Sequence, residues 1–154
     1  MPLNWVADEP DYWDGGRAEN DRLTPDLCTW TDDDGELTYF IRGVLEIPII
    51  RTTDVVGYGV WSSLSERSFN RVVELWDDPL RTEEPPYFGW LSNSLPGYPE
   101  TLNLKLDVIT RHLDGRPVFE LQDDDHPLIT EQRNGITMDR VREIAELNMH
   151  ANGS

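Results

Sequence analysis

Hydrophobic positions recur along this chain with two periods, and the switches between them mark its elements. Leu104, Leu106, Val108 and Thr110 alternate with Lys105, Asp107, Ile109 and Arg111, the two-residue period of a half-buried strand. Asp114-Gly115 then turns the chain into Pro117 to Leu121, so these two segments read as a hairpin. Upstream, Leu27 to Thr31 has strand composition, Asp34-Gly35 suits the positive φ of a tight turn, and Leu37 to Ile50 continues as an unusually long strand. Within it Gly43 reads as a bulge, and Pro48, which lacks a donor, belongs at an edge or past the pairing. Gly57 to Leu64 is the next strand, with Tyr58 and Val60 on one face.

The period then lengthens. Phe69, Val72, Val73 and Trp76 fall at i, i+3, i+4 and i+7 behind Ser65, a good N-cap, and Asp77-Asp78-Pro79 stops the helix. Pro85-Pro86 forbids helix, Tyr87 to Leu91 reads as a strand, and Leu95-Pro96-Gly97-Tyr98 has the sequence of a type II turn. His126-Pro127 opens a short helix that Asn134-Gly135 closes. Thr137 caps the last helix, whose apolar side includes Val141, Ile144 and Ala145, with Ile136 and Val141 as a staple. The order is β-β-β-α-β-β-β-α. It predicts an α+β fold with a mostly antiparallel sheet of about five to six strands and two main helices on one face. All 154 residues are expected to form a single domain, with residues 1–26 as an irregular arm pinned by Trp5, Tyr12 and Trp13 on a core at 27–150.

Charge changes this picture more than composition does. Thirteen Lys and Arg stand against 30 Asp and Glu, a formal charge of −17. Nucleic acid and anionic membranes are repelled by such a surface, whereas a basic protein is steered towards it. Cys28 is the only cysteine, so no intrachain disulfide forms, and its neighbours Leu27 and Trp30 suggest a buried thiol. Neither a basic segment followed by an apolar run nor a long apolar stretch is present, and a cytoplasmic location is the expectation.

Several words in the sequence are specific: DEPDYW, FIRGVLEIPI, YGVWSSLSE, ELWDDP, EEPPYFGWLSNSLPGYPETLNLK and DHPLITEQRNGIT. Together they resemble the bacterial family known as domain of unknown function 2199, from about Pro10 to Leu147. The resemblance implies a compact bacterial domain and brings no established activity with it. Many members carry a Cys-x-x-Cys segment ahead of the Asp-Tyr-Trp word. That pair is missing here, so no zinc ribbon is implied.

Candidate chemistry is sparse. Asp123-Asp124-Asp125-His126 lines up four potential ligands, but alternate side chains on an extended chain diverge, so the run reads as a solvated acidic turn capping the next helix and not as a metal site. Ser62-Ser63 and Ser92-Asn93-Ser94 lie outside any Gly-x-Ser-x-Gly context. No catalytic, cofactor-binding or metal-ligating residue is therefore assigned. Arg42 and Glu46 share a strand face, as an ion pair or as part of a polar pocket to which Arg51, Arg111, His112, Trp61 and Trp90 could add. In the aromatic and proline segment, Tyr87 and Tyr98 are expected at the surface, flanking Ser92, Asn93 and Ser94, with Phe88 and Trp90 in the core. The two resulting readings are a non-catalytic, acidic, immunity-like module that engages a basic protein, and a small-molecule binder or enzyme with a pocket around Arg42, Glu46 and Trp90.

Overall fold

A computed structural model describes residues 4–111 and 115–151 of the chain. His112 and Asp114, expected at a pocket and in a turn, lie outside the described residues. The strands are β1 (Trp5–Val6), β2 (Arg22–Leu23), β3 (Leu27–Thr31), β4 (Leu37–Pro48), β5 (Val55–Leu64), β6 (Tyr87–Trp90), β7 (Lys105–Ile109) and β8 (Val118–Leu121). Three α-helices accompany them among the described residues: α1 (Glu66–Glu74), α2 (Pro127–Asn134) and α3 (Met138–Ala151). The α+β class holds, but the sheet is mixed and has eight strands instead of being mostly antiparallel with five to six. Two of the additional strands come from the arm, which is not wholly irregular: β1 pairs with β5 in parallel and β2 with β3 antiparallel.

The long strand organises everything else. One edge of β4 pairs with β5 from Tyr39↔Leu64 to Pro48↔Val55. Its other edge is shared: Leu37 to Ile41 pair with β3, whereas Val44 and Leu45 pair with β8 in parallel. Gly43 stands at this fork in regular register with Val60, not in a bulge. A Cβ there would lie 2.5 Å from two ring atoms of Phe119 and 2.8 Å from the Pro117 carbonyl oxygen. The missing side chain is what lets β8 come alongside.

At the far side β6 returns to β5. Ser62 and Leu91 form an antiparallel bridge, and the Ser92 N–H donates to the Trp61 carbonyl at 2.8 Å. Strands β4 to β8 thus wrap around one interior filled by Leu45, Ile47, Tyr58, Val60, Leu106 and Phe119, each no more than 0% exposed. Such side chains contribute about 1.5–3 kcal/mol each by leaving water. Helices on a wrapped sheet have no single face to share. α1, capped by Ser65 Oγ, lies at the Tyr39 end, where Phe69 meets the Tyr39 ring at 4.9 Å. α2 closes the opposite end through Gln132, which donates to the carbonyls of Glu46 and Phe119. Thr137 caps α3 as expected, accepting the Arg140 N–H at 3.2 Å.

Outside the ring, the arm covers a second cluster made of Ala7, Cys28, Phe40 and Trp61. Cys28 is 1% exposed. Burial, with smaller contributions from the charges of Asp21 and Glu9, pushes its thiol up to about 12. The thiolate is the nucleophile, and a free thiol titrates near 8.5. Alkylation by iodoacetamide at pH 8.5 is therefore expected to run on the order of a thousandfold slower in the native protein than in urea. Comparable rates, followed by mass spectrometry, would show that the arm does not cover this thiol.

Candidate functional site

The local pattern of β6 creates the largest aromatic exposure on the molecule. Tyr87, Gly89 and Leu91 face inward, and the two-residue period turns Phe88 and Trp90 outward together. Phe88 is 48% and Trp90 47% exposed, with ring centroids 6.0 Å apart at 82°, an edge-to-face pair. Gly89 permits this orientation, since a Cβ there would meet Ser62 Oγ and the Ser63 carbonyl, the atoms against which β6 closes the ring. The expectation that Phe88 and Trp90 fill the core is thus corrected. Leu91 takes that place, because it continues the inward series.

Trp90 forms one wall of a groove of about 610 Å³. Opposite it stand Trp30, Phe40 and Tyr12. Tyr12 stacks on Trp30 at 5.8 Å and on Phe40 at 6.1 Å, while its hydroxyl donates to Asn103 Oδ1 at 2.8 Å. Register explains the assembly: β3 and β4 bring Trp30 and Phe40 to the same side, and the arm lays Tyr12 over both. The polar lining is Asp32, Thr38, Ser63, Ser92, Asn103 and Lys105. Asp32 Oδ1 accepts the N–H groups of Asp34 and Glu36 at 2.9 Å each, and so shapes a turn whose Asp33, Asp34 and Glu36 are exposed beside the groove. Lys105, the only lysine of the chain, pairs in register with Trp90 and has no ion pair among the described residues.

The residues singled out from the sequence do not converge. Arg42 lies under the arm, over the Trp61 ring at 5.6 Å, with its Nη2 donating to the Ala7 carbonyl at 3.0 Å and to Asp8 at 3.4 Å. Glu46 instead meets Arg111 at 3.6 Å. Trp61 is fully buried and donates its indole N–H to the Ala7 carbonyl at 3.0 Å. Asn93 is equally buried and holds the arm. Ser94 donates to Glu100 at 2.6 Å, and this bond, with the Leu102 N–H, holds the Glu100 carboxyl below its usual range.

Tyr87 and Tyr98 are half-buried, not the surface anchors expected. Tyr87 donates to Glu84 at 2.9 Å. Tyr98 donates to Glu131 at 2.7 Å beneath the Arg140 guanidinium, and burial pushes both phenols upward. Only Trp90 and Ser92 of the anticipated set line the groove; Tyr12, Trp30, Phe40 and Lys105 in its lining were not anticipated there, nor was the exposure of Phe88 beside Trp90. The signal for Phe88 was present: Leu91 inside forces Gly89 and Tyr87 inside, leaving Phe88 and Trp90 no inward position.

The acidic run before α2 has separate roles. Asp123 pairs with Arg133 at 3.0 Å, Asp124 accepts the Asp125 N–H, and the helix cap is His126, not a carboxylate. His126 Nδ1 accepts the Leu128 N–H at 3.0 Å, so the proton sits on Nε2, which lies 3.1 Å from the carbonyls of both Pro99 and Glu100. Among the described residues no helix is long and apolar enough to cross a membrane.

The model of a bacterial family, described as an uncharacterized protein conserved in bacteria (DUF2199), matches residues 1–136. No curated protein and no solved structure matches the chain.

Proposed function

The chain belongs to the bacterial DUF2199 family of uncharacterized proteins, and on that footing we propose that it is a binding module that engages a basic segment of another protein across the Phe88–Trp90 face. The observation that carries this reading is the pair of half-exposed rings on one strand. Large aromatic side chains dominate binding energy when a partner desolvates them. The partner's sign follows from the formal charge of −17 and from the Asp33, Asp34 and Glu36 turn beside the groove. Arg and Lys side chains of such a segment suit the faces of Trp30 and Trp90 through cation–π attraction. An inhibitor or immunity-type partner of a cationic toxin or nuclease is the narrowest form of this reading.

Lys105 gives the test a sign. Affinity capture from the native host at low salt is expected to retain a cationic protein on the wild type. The Phe88→Ala/Trp90→Ala double variant should lose it by about 30-fold or more, at ~2 kcal/mol for a central Trp. Lys105→Glu should hold it more tightly, because it reverses the only positive charge among the described residues that line the groove. Equal capture by all three proteins, or weaker capture by Lys105→Glu, would overturn the assignment.

A further inference from the structure

The groove lined by Trp90 offers a cation two kinds of contact. One is ring surface. Tyr12 lies at 25° to both Trp30 and Phe40, so the wall opposite Trp90 is a set of nearly parallel rings. The hydrogen bond from the Tyr12 hydroxyl to Asn103 Oδ1 at 2.8 Å holds that wall in place.

The other contact is a carboxylate oxygen. Asp32 lines the groove and is half-buried, unlike the exposed Asp33, Asp34 and Glu36 of the same turn. Its Oδ1 is committed to the N–H groups of Asp34 and Glu36 at 2.9 Å each, whereas Oδ2 accepts no hydrogen bond from the described residues. One oxygen thus anchors the carboxylate and leaves the other for a ligand. The hydroxyls of Thr38 and Ser63 add neutral acceptors to the lining.

Lysine and arginine do not use such a lining equally. An ammonium is compact and strongly hydrated, and rings replace little of the water it must shed. A guanidinium is planar and more weakly hydrated, so it can lie flat on a ring while its edge N–H groups reach a carboxylate. Lys105, the other charged residue among the described residues of the lining, is exposed, so its ammonium can turn to water.

We infer that the groove selects arginine over lysine, with Trp30 and Trp90 meeting the face of the guanidinium and Asp32 its N–H edge. This rests on the reading of the groove as a site for a basic segment, and it names the side chain that anchors that segment.

Isothermal titration of the full chain with blocked tri-arginine and tri-lysine peptides tests it, because equal charge leaves the headgroup as the difference between them. At about 0.15 M salt, where long-range attraction is screened, tri-arginine should bind with a Kd of about 1 mM or tighter and about tenfold tighter than tri-lysine. Asp32→Asn keeps an oxygen for the turn but removes the charge, and should cut the preference to about threefold or less. Trp90→Ala should do the same from the ring side, whereas Glu36→Gln, outside the lining, should leave the preference intact. Equal affinity of the two peptides, no saturable binding of tri-arginine, or an undiminished preference in both Asp32→Asn and Trp90→Ala would overturn the inference. Capture of a cationic host protein alongside equal peptide affinities would keep the binding module and remove the arginine anchor; a clear arginine preference with no captured partner would do the reverse.

Discussion

Gly43→Ala is expected to destabilise the protein by about 3 kcal/mol, at the upper end of what overpacking usually costs. The added carbon would sit 2.5 Å from Phe119 ring atoms on one side and 2.8 Å from the Pro117 oxygen on the other. A ring can shift, but a backbone carbonyl whose partner is the Val44 N–H can shift only by breaking that bond. In a chain of this length the loss corresponds to roughly 6–12 °C in Tm, measurable by calorimetry. The companion substitution Phe119→Leu should recover part of the loss in the double variant, because it removes the ring but not the carbonyl. A neutral Gly43→Ala would mean that β8 does not lie against β4 as described.

Asn93→Ala should cost a similar amount by a different route. Asn93 is fully buried; its Oδ1 accepts the Trp61 N–H at 2.8 Å, and its Nδ2 donates to the Glu9 carbonyl and to Asp11 Oδ1 at 3.0 Å each. Removing the amide leaves the Trp61 backbone N–H in a dry interior with no partner and removes two of the bonds that hold the arm at Glu9 and Asp11. The expected penalty is about 3 kcal/mol, the sum of an unpaired buried donor at ~1–3 kcal/mol and lost bonds to a charged group. Asn93→Asp should fare no better at neutral pH, since a carboxylate oxygen would replace the donor facing Asp11 and the Glu9 carbonyl. Urea unfolding reads the first effect, and limited proteolysis within residues 4–26 reads the second. Intact stability with an uncut arm would show that Asn93 contributes nothing to holding the arm.

The local elements were legible because short-range physics decides them. Ser65 and Thr137 announce their helices by caps, Pro127 and Gly135 bracket α2, and the alternation at 104–111 yields a strand. What the sequence hid is the wrapping. The division of β4 between β3 and β8 depends on a contact between Gly43 and Phe119, and no local pattern encodes which distant ring fills a missing side chain. That is why a glycine read as a bulge proved to be a point of close approach. The groove was half legible for the same reason. Trp90 stood out by composition, whereas Tyr12, Trp30 and Lys105 join it only through the pairing of β3 with β4 and of β6 with β7.

The parallel junction between β4 and β8 is a matter of parity. Strands that reverse direction at every step and are odd in number must, if they close into a ring, bring first and last together running the same way. Five strands, β4 to β8, do so here. The seam therefore joins Val44 to Val118, among the contacts most distant along the chain, while every other junction of the ring links consecutive strands. Closing so long a loop carries the largest entropy cost of any junction. Assembly can proceed from hairpin to hairpin, but the ring is sealed only when the last strand reaches the first, at the residue that has no side chain to obstruct it.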